Sequence, residues 1–201
     1  MGISMLAHGQ GRQLDELLNA VKRNDLTTVE AQIRRGMSVD SSDSSGNTLL
    51  MLAVIEGKPG LVKSLLALNA NPKHRNKVGD SALMFAALGG NLEIVRLLLG
   101  HGAEINQSGW TSLHYCAWSG HTEVCKYLLD KGADIDAASE NGTTPLMMAV
   151  RGGHMAMVKL LVWEFAELEV RNQDGATALQ WALKGERVEI VNHLKQAGAK
   201  E

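Results

Sequence analysis

Cysteine is almost absent from this chain, with two in 201 residues. Two thiols cannot build the disulfide framework of a small secreted scaffold, and the count leans toward a compartment of reduced thiols. No apolar run approaches the roughly 18 residues needed to cross a bilayer. Charge of one sign is also missing: the formal net charge is -2, and since nucleic acid and an anionic membrane both reward a concentrated basic surface, neither is expected as the main partner. The opening MGISMLAHGQ lacks the basic flank of a secretory leader, and Leu6 stands where a myristoylation signal needs Ser or Thr. Aromatic residues make up only 4%, so any gathering of them carries information. What is present is ordinary for a globular chain: 45% hydrophobic and 21% charged residues exclude disorder over most of the length.

Self-comparison gives the organisation. GNTLLMLAVIEG from Gly46 returns as GDSALMFAALGG from Gly79, and GTTPLMMAVRGG from Gly142 returns as GATALQWALKGE from Gly175, each pair 33 residues apart. GWTSLHYCAWSG from Gly109 precedes Gly142 by 33, and a divergent copy, DELLNAVKRND, lies one period before the second. Six copies are therefore expected near 12–42, 43–75, 76–106, 107–138, 139–171 and 172–200, in one domain over 12–200 that follows a flexible N-terminal extension over 1–11. The polar outer face of QLDELLNAVKRND leads us to expect a capping copy there, and HLKQAGAKE breaks off where the next loop would begin, so both ends are expected to be terminal.

Each copy reads as two short helices. Thr48, Ser81, Thr111, Thr144 and Thr177 stand at helix starts, where a hydroxyl accepts from a free backbone amide, and Pro145 suits the first helical position. Leu50, Leu83, Leu113, Leu146 and Leu179 each have a small residue three positions on (Ala53, Ala86, Cys116, Ala149 and Ala182), giving one apolar face. Gly57, Gly90, Gly120 and Gly153 break the first helix, and segments such as LEIVRLLL form an amphipathic second one. Gly36, Gly102, Gly132 and Gly198 end the second helix.

GTTPLMMAVRGGH, GWTSLHYCAWSGH, GHGAEIN and KGADID resemble the ankyrin-repeat family at its Gly, Thr, Pro, Leu, His and Gly-His positions. The resemblance implies an all-α solenoid of about six helix-turn-helix repeats with short hairpin loops. It implies a non-catalytic protein-protein interaction module, not an enzyme, binding a protein partner through its concave groove. A monomer is expected, with a homodimer through the groove as the alternative. GTTPLMMA is similar to bacterial members, some of them exported, so the compartment is the cytoplasm, or the bacterial periplasm if a leader has been removed. An engineered binding protein on a natural ankyrin scaffold is the second reading.

The repeat also tests a metal site. His114, Cys116, His121 and Cys125 have the residue types of a zinc centre, but Cys116 takes the register of Ala53 and Ala86, and Cys125 that of Val62, Val95, Val158 and Val191. Both read as buried small hydrophobes, and His114 and Cys116, two apart on a helix, diverge by roughly 200°. By resemblance His114 ties turns together, and His121 and His154 begin second helices. No metal or cofactor is expected. A Cys/His-dependent hydrolase is the remaining enzymatic reading, and a buried thiol far from positive charge argues against it.

Partner information should lie where the copies differ. By resemblance the contact surface carries Phe85, Leu88, Trp110, Tyr115, Trp118, Met148, Arg151 and Trp181, which gathers most of the scarce aromatics on one face. Two irregularities stand out. Asn106 to Gly109 takes three steps where Lys73 to Gly79 takes six, which shortens one loop beside Trp110. Phe165 occupies the register of Gly102 and Gly132, two residues after Trp163, so this pair is a secondary surface candidate unless Trp163 packs on Phe165 locally.

Overall fold

The computed structural model describes residues 2–200, with side chains from residue 11 onward. The described residues are all-α, with six helix pairs in chain order: α1 (Gly2–Lys22) and α2 (Leu26–Arg34), α3 (Leu49–Ile55) and α4 (Pro59–Ala67), α5 (Ala82–Leu88) and α6 (Leu92–Gly100). The second half continues with α7 (Ser112–Ser119) and α8 (Thr122–Asp130), α9 (Pro145–Gly152) and α10 (Met155–Trp163), α11 (Ala178–Lys184) and α12 (Val188–Gln196). The extension expected over 1–11 falls on the first half of α1, where the side chains of 1–10 lie outside the described residues.

The starts and stops obey local chemistry. Thr48, Thr144 and Thr177 adopt extended backbone, and their hydroxyls accept from the amides of Met51, Met147 and Gln180 at 3.3, 3.4 and 3.3 Å. Each satisfies one of the free amides of a first turn. The glycines expected to break helices all have positive φ, and so do the residues at the same register in copies without glycine. Asn69 and Phe165, which replace a helix-ending glycine, both have φ 64°. The expected Leu and small-residue pairs are buried throughout: Leu50 with Ala53, Leu83 with Ala86, Leu113 with Cys116, Leu146 with Ala149 and Leu179 with Ala182.

Contacts gather the residues into two units. The first comprises residues 1–82 and 96–103, the second 83–95 and 104–201. In the first, α1 packs on α2 and α3, and α3 on α4, around Leu17, Leu49, Leu61 and Leu65. Its loops are hairpins closed by isolated bridges between Ser42 and Thr48 and between Arg75 and Ser81. Successive loops are joined: Asn76 Nδ2 donates to Asn47 Oδ1 at 2.9 Å, and Lys77 N to Ser45 O at 3.1 Å.

In the second unit α9 lies between α7 and α11, while α10 packs against α9, α8 and α12. Leu113, Leu128, Leu146, Val158 and Leu179 form its core. The step from one copy to the next is pinned by recurring bonds. Asp134 N donates to Asn106 Oδ1, Glu167 N to Asp136 Oδ1 and Lys200 N to Glu169 Oε1, each at 2.8–2.9 Å. The first spans 28 residues and the other two 31, so the three residues missing after Asn106 leave this tie intact.

Candidate functional site

The first helices of the second unit carry the site. Leu113, Leu146 and Leu179 point into the core, which turns the side chains two and five positions later to the opposite face, as the 3.6-residue period requires. Trp110 in the short loop and Trp118 in the last turn of α7 remain 36% and 40% exposed. Trp110 lies 5.3 Å from the His114 ring and 5.8 Å from the Tyr115 ring, tilted against both. Arg151 of α9 sits over Trp118 and Trp181, its guanidinium carbon 5.4 and 5.9 Å from their centroids. These rings therefore support one another and still show surface to solvent.

The short loop is closed by Gln107, whose Nε2 donates to Trp110 O at 2.8 Å and lies 3.3 Å from Met84 Sδ. Beneath it His114 is fully buried. Its Nδ1 accepts from Thr111 N at 3.2 Å, so Nε2 carries the proton and donates to Thr143 O, 2.9 Å away in the next copy. Burial lowers the pKa of this imidazole despite those bonds and the nearby Asp134 charge. One ring nitrogen thus closes the start of its own helix α7, and the other joins the next copy.

A second tie recurs at the starts of second helices. His121 Nε2 meets Leu88 O at 3.0 Å, and His154 Nε2 meets Trp118 O at 2.9 Å. In the last copy Arg187 Nη2 donates to Arg151 O at 2.8 Å. The arriving side chain crosses the left-handed glycine of the preceding copy. A Cβ on Gly120 would lie 2.6 Å from His154 Nδ1, so this glycine is needed for space as well as for φ 76°. The role of Arg187 was not anticipated, although its register with His121 and His154 was the signal available.

The expectation of free, reduced cysteines is corrected. Cys116 and Cys125 form a disulfide that joins α7 to α8, with Cα atoms 5.7 Å apart, and both residues are fully buried. The repeat register that identified them as small core residues was sound. It also brought the Ala and Val positions of one copy within bonding distance, which residue counts do not reveal. The bonded sulfurs offer neither a zinc ligand nor a nucleophile.

Two sequence profiles described as ankyrin repeats, in three copies and in many copies, match residues 50–139 and 119–162, together more than half of the chain. The chain belongs to the ankyrin-repeat family. Ankyrin repeats are protein-protein interaction modules, and the family is generally non-catalytic. This ankyrin-repeat chain is 44% identical over 66 residues to the ankyrin repeat and KH domain-containing protein mask-1 of Caenorhabditis elegans, covering 33% of the chain and 2% of that protein. It is 41% identical over 87 residues to the glycerophosphocholine phosphodiesterase gde1 of Schizosaccharomyces pombe, covering 41% of the chain and 8% of that protein. With Protein PhlB of Serratia liquefaciens it shares 37% over 90 residues, 45% of the chain and 39% of that protein. The matches span less than half the length of each relative. Among the described residues no helix of the ankyrin-repeat chain is long and apolar enough to cross a membrane.

The candidate residues divide on burial. Phe85, Tyr115 and Trp181 are half-buried, and Leu88 and Arg151 are exposed with Trp110 and Trp118. Met148 does not join them. At 4% exposure it is enclosed, because α9 has a helix on either side. Trp163 and Phe165 are 79% and 88% exposed, and among the described residues no ring contact pairs them, so local packing does not offset the left-handed backbone at Phe165. Glu186 (φ 54°), at the register of Gly153, has the same unfavourable backbone and went unread in the sequence.

Proposed function

We propose that this ankyrin-repeat chain is a non-catalytic adaptor that takes one protein partner on the first-helix face of residues 83–95 and 104–201. Phe85, Leu88, Trp110, Tyr115, Trp118, Arg151 and Trp181 make the contact, and the chain acts as a monomer. The observation that supports this most is the pair of tryptophans held half-open by their neighbours. Two-fifths of a Trp side chain is about 100 Å² of apolar surface, so covering it contributes roughly 2–3 kcal/mol per ring before the cost of association. Rings already restrained by Arg151 and Tyr115 lose little freedom when covered.

Affinity capture from the source organism with the wild type and with Trp118→Ala tests the reading. The variant should keep its helical circular dichroism and lose about 50-fold in partner affinity, the equivalent of one covered ring. Equal capture by both would refute the assignment. Because Trp118 is also partly buried, the variant should lose about 1–2 kcal/mol of stability, more than a freely exposed ring would cost.

The exposed Trp163 and Phe165 support a secondary contact surface. Both line an open cavity of about 550 Å³ with Val162 and His193. The Cys116–Cys125 bond supports an oxidising compartment, the bacterial periplasm in preference to the cytoplasm, as the working location. Thiol trapping in intact cells tests this: recovery of both cysteines as free thiols would refute it.

A further inference from the structure

The last turn of the first helices changes character in one direction. Successive copies place Leu88, Trp118, Arg151 and Lys184 at one register, apolar in α5 and α7 and cationic in α9 and α11. Arg187 adds a third cation where the two preceding copies carry His121 and His154. Arg151, Lys184 and Arg187 line one open cavity of about 380 Å³ together with Trp181, Gly185 and a single carboxylate, Asp174. Among the described residues no carboxylate, Asp174 included, lies within ion-pair distance of any of the three cations. Two of them are held in place. The Arg151 guanidinium sits over Trp118 and Trp181, and Arg187 bonds to the Arg151 carbonyl through the space Gly153 leaves open.

We propose that the segment recognised by this face is acidic-apolar and runs in a defined direction. A large apolar side chain seats on Trp110, Tyr115 and Trp118, and carboxylates follow on Arg151, Lys184 and Arg187. The proposal rests on the adaptor reading above and adds to it the partner's chemistry and orientation. Three cations in one cavity repel one another, and a partner's carboxylates relieve that repulsion while giving each guanidinium the planar acceptor it matches. Neighbouring helices pack about 8–10 Å apart and an extended chain advances about 3.3 Å per residue, so the acids trail the anchor by about three to six positions. Nucleic acid is the less favoured occupant, since it rewards a basic stripe and a basic overall charge, whereas the net charge here is -2.

Selection of a random linear peptide library on the full chain provides the test, with enriched peptides synthesised and their affinities measured. Enriched peptides should carry an aromatic or leucine anchor with two or more Asp or Glu about three to six residues toward one end. Arg151→Glu with Lys184→Glu should weaken such a peptide at least about tenfold, and raising salt from about 0.05 to 0.5 M should weaken binding to the wild type. Lys63→Glu, at an exposed position of α4, should leave the affinity unchanged. Peptides without acidic bias that lose binding on Trp118→Ala would overturn the charge assignment and leave the adaptor reading standing. If neither the charge reversal nor Trp118→Ala matters, or no peptide is enriched, both fall. Binding of a short single-stranded oligonucleotide as tight as that of the best peptide would overturn the assignment to a protein segment.

Discussion

Replacing Cys116 with Ala and Cys125 with Val gives the fourth copy the pair that the second, third and fifth already carry at this register: Ala53 with Val62, Ala86 with Val95 and Ala149 with Val158. All six are buried, so the substituted pair fits a site of proven shape and the packing change is small. What the double variant loses is the cross-link. Closing a separation of nine residues removes chain entropy from the unfolded state worth about 2.6 kcal/mol at 25 °C. For a chain of this length each kcal/mol moves the melting temperature by roughly 2–4 °C, so the variant should melt about 5–10 °C lower. Urea unfolding should show a lower midpoint with an unchanged slope, and hydrogen exchange should localise the loss to α7 and α8. Equal melting would refute the reasoning. So would alkylation of both cysteines in the unfolded, unreduced wild type, since that requires free thiols.

Three further outcomes follow from particular residues. Gly120→Ala should destabilise by about 2–3 kcal/mol and Gly132→Ala by about 1 kcal/mol, because both have positive φ but only the first Cβ meets a neighbour, the His154 ring; equal losses in thermal melts would remove the steric argument. Phe165→Gly should stabilise by about 0.5–1 kcal/mol, since it releases the left-handed backbone and gives up little buried surface; a loss of stability would show that the ring packs in solution. The folded pKa of His114 lies below its ordinary 6.5, so as pH falls the unfolded chain takes up the proton first. Stability should be full above about pH 6.5 and fall by up to about 1.4 kcal/mol per unit below it, and urea midpoints for the wild type and His114→Gln should converge in acid.

The fold was legible because each copy repeats the others. A leucine with a small residue three positions on, a hydroxyl at the helix start and a glycine at its end recur at fixed register, and such local rules need no knowledge of distant neighbours. The same register correctly placed Cys116 and Cys125 in the core, and it identified Phe165 as a bulky residue in a glycine conformation.

Only the tertiary structure decided the rest, since it turns on distances between side chains that sequence spacing leaves free. The Cys116–Cys125 bond, the enclosure of Met148 and the seating of Arg151 between two indoles all arise where separate helices meet. The six copies are a property of the order of residues along the chain. The half-open tryptophans beside cations that meet no carboxylate among the described residues are a property of packing, because burial and ion pairing depend on which neighbouring helix covers a side chain and how far it reaches.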